Sequence, residues 1–225
     1  MNFSKTIKRR RKLSKKEILF HNKVSLFIKD PLPKDIELDA AIEYLENIIP
    51  YNIAVLVDCI YIGEFDFLSK DNITALYKDG ALFISNNQNS KFELISDIVH
   101  EYAHVIEKRF TQDIYTDEIL DEFLRKRIKL YHILINDYDF NKEAFVKIKY
   151  DRDFDEFLYK TVGYSKLDVY SNHFFIEPYA ITSIREYWAT GFEHFLLFDP
   201  DELKEVSPNL YNKIKYIMEL SQGGY

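Results

Sequence analysis

Between Ser90 and Phe110 the apolar side chains fall at Phe92, Ile95, Ile98, Val99, Tyr102, Val105 and Ile106. That three- and four-residue spacing predicts a helix with one broad apolar face. Asp35 to Ile49 repeats the spacing through Ile36, Leu38, Ala41, Ile42, Tyr44, Leu45 and Ile48, and Pro50 closes it. Further helices are expected over Asp117–Ile135 and Ser183–Phe198, with short ones near 142–149 and 154–161. Asp199-Pro200 and Ser207-Pro208 each pair an N-cap residue with proline in the first turn, so each opens a helix. Lys16–Lys29 reads as a short helix broken by Asp30-Pro31-Leu32-Pro33. Asn52–Asp58 (NIAVLVD) reads as a strand that Ile60–Gly63 continues. In ITALYKDGALFISNN, two β-rich runs flank Lys78-Asp79-Gly80, and Asp-Gly supplies the positive φ angles of a tight hairpin. The class these elements define is α+β: a small mixed sheet packed on the helix at 90–110, followed by a helical C-terminal part.

Composition bounds the class further. At 225 residues, 47 % hydrophobic and 30 % charged, the chain has the balance of a globular protein with a substantial core. The net charge of −7 is uneven. Residues 5–16 (KTIKRRRKLSKK) carry eight Lys or Arg and no acid, which leaves about −15 on the rest. We expect residues 1–16 to form a basic arm and 17–225 one domain. A solvated arm is the simpler reading; contact with nucleic acid through residues 5–16 is the alternative, although no aromatic platform is evident beside the run. Cys59 is the only cysteine, which excludes an internal disulfide, and it reads as a small buried hydrophobe. His21, Asn22 and Lys23 interrupt the one apolar stretch that could serve a signal peptide, and no run is long enough to cross a membrane. The expected setting is cytoplasmic, with a virus or phage genome as a candidate source.

The chemistry enters at His100-Glu101-Tyr102-Ala103-His104, an HExxH motif. On a helix, residues four apart project from nearly the same side, so the two imidazoles can share one zinc ion. Glu101 stands beside them, within reach of a water on the metal whose pKa drops from about 15.7 to roughly 7. The expected activity is a zinc-dependent endopeptidase in which Glu101 takes the proton of that water and passes it to the leaving amine. Such a site needs a third protein ligand. Glu107 and Phe110 stand where metzincins carry Gly and His, which excludes that class. Glu118 and Glu122 lie 14 and 18 residues after His104 and read as exposed helix acids. Glu186 begins an apolar, aromatic helix and is the better candidate, although Ser183 and Glu186 also make a capping box that needs no metal. Glu107, three residues after His104, can serve as a hydrogen-bond partner of an imidazole or be an exposed acid. His194 lies two turns beyond Glu186, and a packing or capping role fits it better than metal ligation.

Four segments carry a resemblance: ALYKDGALFIS, HEYAHVIE, YAITSIREYWATGF and SPNLYNKIKYI. Together they resemble the anthrax lethal factor-type gluzincins, a family that includes the related Pro-Pro endopeptidases. The resemblance spans roughly residues 50–225 and implies a zincin-like fold. It also implies Glu186, in Glu186-Tyr187-Trp188-Ala189, as the third zinc ligand beside His100 and His104. It implies that Tyr179, seven residues earlier, helps hold the tetrahedral intermediate. A peptide or protein substrate would pair with an edge strand, for which Ala81–Ser85 is the candidate. The chain departs from the family at Ala103, at Thr190 and Gly191, and in a longer segment from about 115 to 170. A different class of function stays open beside this one: a catalytically inactive, zinc-stabilised binding protein that uses the basic arm to contact nucleic acid or a partner.

Overall fold

The structure is a computed structural model that describes residues 15–20 and 23–222. The proposed arm therefore lies outside the described residues except at Lys15 and Lys16. The chain divides into two compact units, Met1–Glu101 and Tyr102–Tyr225, and the division falls inside one helix. Among the described residues no helix is long and apolar enough to cross a membrane.

The first unit is built on a five-stranded mixed sheet in the order β1-β2-β3-β5-β4. Its strands are β1 (Lys15–Leu19), β2 (Val24–Ile28), β3 (Cys59–Gly63), β4 (Ala75–Lys78) and β5 (Ala81–Ser85). The outer pairs β1–β2 and β4–β5 are antiparallel, whereas β2–β3 and β3–β5 are parallel. Strand periodicity sorts the side chains. Leu26, Ile28, Ile60, Ile62, Leu82 and Ile84 are buried on one face. On the other face Phe27, Tyr61 and Phe83 sit in one cross-strand row, stacked 5.1 and 5.2 Å apart. Helix α1 (Leu38–Ile48), one turn α2 (Tyr51–Ala54) and the short α3 (Asp66–Asp71) complete the connections.

Two expected elements are corrected here. Lys16–Lys29 is not a helix but the β1–β2 pair, because Val24, Leu26 and Ile28 alternate with half-buried positions in a period of two. Asn52–Asp58 is not a strand. Pro50 starts the turn α2, its carbonyl accepting from the amides of Ile53 and Ala54, and pairing begins only at Cys59. A short apolar run between turn signals does not distinguish strand from helix, and the proline decides it. The Asp79-Gly80 hairpin forms as expected, with φ of 51° and 82° at its two central residues. Cys59 is half-buried and close enough to Tyr61 to hydrogen-bond with it, so it is not a plain core residue.

Helix α4 (Lys91–Ile114) carries the motif. Its backbone leaves helical geometry at Phe110, where φ is −118° and ψ 28°. The apolar face lies as expected, except that Phe92 is exposed.

The second unit is helical. It contains α5 (Asp117–Leu134), α6 (Lys142–Val146), α7 (Arg152–Glu156), a π-helical turn (Phe157–Val162), α8 (Tyr164–Ser171) and a 3-10 turn (Pro178–Ile181). The last three helices are α9 (Ile184–Leu197), α10 (Pro200–Val206) and α11 (Pro208–Gln222). Phe123, Phe154, Phe175, Tyr187, Trp188 and Phe192 are fully buried. Buried cations need partners, and Arg127 finds them at its two terminal nitrogens while its Nε has none among the described residues. Arg127 donates to the carbonyls of Ala144 and Lys147 and lies 4.2 Å from the Phe154 ring centre. Glu122 is buried rather than exposed. It accepts from the Tyr187 hydroxyl and from the backbone amides of Asn209 and Leu210, so it caps the start of α11. Gly191 permits the close approach of α9 and α11, since a Cβ there would sit 2.4 Å from Leu210 Cδ2. That contact accounts for glycine at this position.

Candidate metal centre

Helix geometry places His100 and His104 one turn apart on α4. In the second unit, Ser183 is the N-cap of α9, and its hydroxyl accepts from the Glu186 amide at 3.2 Å. The cap engages the Glu186 backbone amide and not its carboxylate. Glu186 Oε2 lies 3.6 Å from His104 Nε2. The capping and ligand readings of Glu186 are therefore compatible, with the amide used for one and the carboxylate available for the other. The Trp188 indole donates to the Ala103 carbonyl at 3.0 Å, tying α9 to α4 between the two histidines. Thr190 Oγ1 donates to the Glu186 carbonyl at 2.8 Å and so steadies the turn that carries Glu186.

One ligand atom from each of His100, His104 and Glu186 lies within 4.8 Å of the other two. Two imidazoles and a carboxylate match the donor set of a catalytic zinc site with an open fourth position. The partner chemistry fits as well. A metal-binding imidazole ordinarily donates its second N–H to an acceptor, and His104 Nδ1 has the Glu107 carboxylate at 3.2 Å. On this geometry the residues fit a zinc ion.

Glu101 is 7 % exposed, and its Oε2 accepts from the Tyr77 backbone amide at 2.5 Å. Tyr77 lies on β4, which is the edge of the sheet. Ala81–Ser85, expected as the edge, is the inner strand β5, hydrogen-bonded on one side to β3 and on the other to β4. The hairpin was foreseen correctly, but which of its arms faces outward depends on the parallel pairing of β3 with β5, a long-range contact with no local signal.

Asp97, one turn before His100, accepts from Thr74 Oγ1 and Gln88 Nε2 at 3.0 and 2.9 Å. Burial raises its carboxyl above the ordinary range, against the pull of those two bonds and of His100. Tyr179, on the 3-10 turn, is 36 % exposed. Burial pushes its phenol well above the ordinary value, and the nearby Glu186 charge adds to the shift. The phenol therefore keeps its proton and remains a hydrogen-bond donor.

Two residues at the centre escaped the sequence reading. Arg185 Nε lies 3.0 Å from Glu107 Oε2 and 3.1 Å from His104 Nδ1. The Tyr115 hydroxyl donates to Glu107 Oε1 at 2.7 Å. Arg185 adjoins Glu186, so its place was partly legible, whereas the break at Phe110 removes any fixed angular relation between Tyr115 and the histidines. Burial alone would raise the Glu107 carboxyl. The bonds from His104 and Tyr115 and the Arg185 charge outweigh it and hold the group below the ordinary range. Of the other histidines, His194 is buried, stacked 5.0 Å from the Phe198 ring, with Nε2 3.2 Å from Glu202 Oε2. His21 lies outside the described residues.

Comparison of the chain with protein-family models, curated proteins and solved structures returns no match.

Proposed function

We propose that this chain is a zinc-dependent endopeptidase of the gluzincin type, with a zincin-like fold, as its resemblance to the lethal factor-type enzymes implies. The observation that carries the reading is the convergence of His100, His104 and Glu186, a His-His-Glu donor set with ligand atoms within 4.8 Å of one another. Glu101 follows His100 directly on the same helix. When bound, a zinc ion supplies Lewis-acid polarisation of the scissile carbonyl and acidifies a water molecule.

The chain's own groups do the rest. The Glu101 carboxylate accepts the proton of the attacking water at one of its oxygens and delivers it to the departing amine nitrogen. The Tyr77 amide, bonded to Oε2, orients that carboxylate. Tyr179, held protonated by burial and by the Glu186 charge, donates a hydrogen bond to the oxygen that gains negative charge as the carbonyl becomes tetrahedral. An extended substrate backbone pairs along the outer strand β4 at positions other than the Tyr77 amide, which is bonded to Glu101.

Metal analysis and peptide-library cleavage on wild type and Glu101→Gln test this directly. The expected result is about one equivalent of zinc in both proteins, with hydrolysis in the variant lower by at least 10²-fold, the usual scale for removing a general base. Wild-type cleavage rates in Glu101→Gln would overturn the mechanism. Bound zinc with no cleavage of any library member would instead leave the zinc-stabilised binding protein as the surviving function.

A further inference from the structure

His104 can offer Nε2 to a metal only if Nδ1 carries the ring proton, and that proton needs an acceptor. Among the described residues, Glu107 and Arg185 meet Nδ1. Glu107 Oε2 lies at 3.2 Å and can only accept; Arg185 Nε lies at 3.1 Å and can only donate. The contact with Glu107 is the one compatible with Nε2 as a ligand. The opposite arrangement, with Nδ1 accepting from Arg185, puts the ring proton on Nε2, between the ring and Glu186 Oε2 at 3.6 Å.

The Glu107 carboxylate is itself held on two further sides. Tyr115 donates to Oε1, and Arg185 pairs with Oε2 at 3.0 Å. The Glu107 side chain is only 15 % exposed. Four groups, from α4, the residue just after it and the start of α9, thus form one connected polar cluster whose single imidazole belongs to the proposed metal site.

We propose that Glu107 is a positioning residue, aimed by Tyr115 and Arg185, that fixes the ring orientation and the metal-ready tautomer of His104. The inference rests on the zinc reading above and adds to it the residues that prepare one ligand. It also explains why the break at Phe110 matters: the chain turns there and Tyr115 reaches back to Glu107, eight positions earlier.

The test is zinc affinity, measured by competition with a chromophoric chelator, on wild type, Glu107→Ala, Glu107→Gln and Tyr115→Phe. Glu107→Ala is expected to weaken zinc binding about 10- to 100-fold, the scale for losing such a partner. Glu107→Gln keeps an acceptor oxygen and should recover part of that loss. Tyr115→Phe, which removes one bond to the carboxylate, should weaken binding about threefold. ¹⁵N NMR of the zinc-loaded wild type should show the His104 proton on Nδ1, a signature that a merely structural Glu107 would not set. Unchanged zinc affinity in Glu107→Ala, or an unprotonated Nδ1 in the loaded wild type, overturns the proposal. Should Glu107→Ala fail to fold, the threefold effect in Tyr115→Phe and the NMR signature still decide it. A wild type that binds no zinc overturns the metal reading and this inference together, whereas normal zinc binding by both wild type and Glu107→Ala overturns only this one.

Discussion

At the residue scale, Tyr179 shows what surroundings add to a side chain. It is one of 17 tyrosines, and nothing in its local sequence marks it apart from the resemblance. In the structure its phenol is pushed up by burial and by the Glu186 charge, which suits a donor that must stay protonated. Removing one oxyanion donor typically costs about 10²–10³ in rate. Tyr179→Phe is therefore expected to lower kcat by about that much while leaving zinc content unchanged, as steady-state kinetics and metal analysis of the same preparation would show. A variant that loses its zinc would point to a structural role instead. Ser183 is legible in the same mixed way. The capping pattern can be read from the sequence, but that the Glu186 carboxylate lies 3.6 Å from His104 Nε2 cannot.

At the scale of elements, the strongly periodic helices and the Asp-Gly hairpin were readable because their signals are local. The misread elements, 16–29 and 52–58, are short apolar runs whose state is settled by a neighbour, by strand pairing in one case and Pro50 in the other. Glu122 went wrong for a related reason. A helix acid looks exposed until another helix terminus is found against it. The contact also brings Lys126 inside, where its ammonium bonds Tyr187 Oη at 2.6 Å and Ser207 Oγ at 2.5 Å. Burial pushes Lys126 down to about 8, with Glu122 only partly restoring it.

The sign of the resulting pH dependence follows from that depression. From about pH 8 up to the ordinary lysine value, the unfolded chain holds a proton that the folded chain has released. Stability therefore rises with pH across this window, and the unfavourable contribution is fully present below it. Urea unfolding at pH 7.5 and 9.0 should show wild type gaining about 1 kcal/mol relative to Lys126→Met, with the variant as reference for the titrating tyrosines. No difference in slope between the two proteins would mean that Lys126 is not buried in its charged state.

For the molecule as a whole, His104 and Glu186 lie far apart in sequence and on different helices, so on the proposed zinc reading an ion shared between them would bind the folded chain and not the unfolded one. Mass action then makes zinc a stabiliser, by about 2.7 kcal/mol at a hundredfold excess over Kd. For a chain of this size that corresponds to a rise in Tm of about 5–10 °C. Calorimetry with and without zinc should show the rise in wild type and its loss in Glu186→Ala. An equal rise in the variant would remove Glu186 from the metal site.

The sequence by itself determined the helix that carries the motif, the spacing that sets His100 and His104 on one side of it, and the hairpin turn. Each depends on residues within a few positions of one another, where backbone geometry is nearly fixed. That the Glu186 carboxylate comes to lie beside His104, which strand is the outer one, and which groups meet Nδ1 of His104 were decided only by tertiary structure. Those are contacts across long sequence separations, governed by how the elements pack, and no periodicity along the chain encodes them.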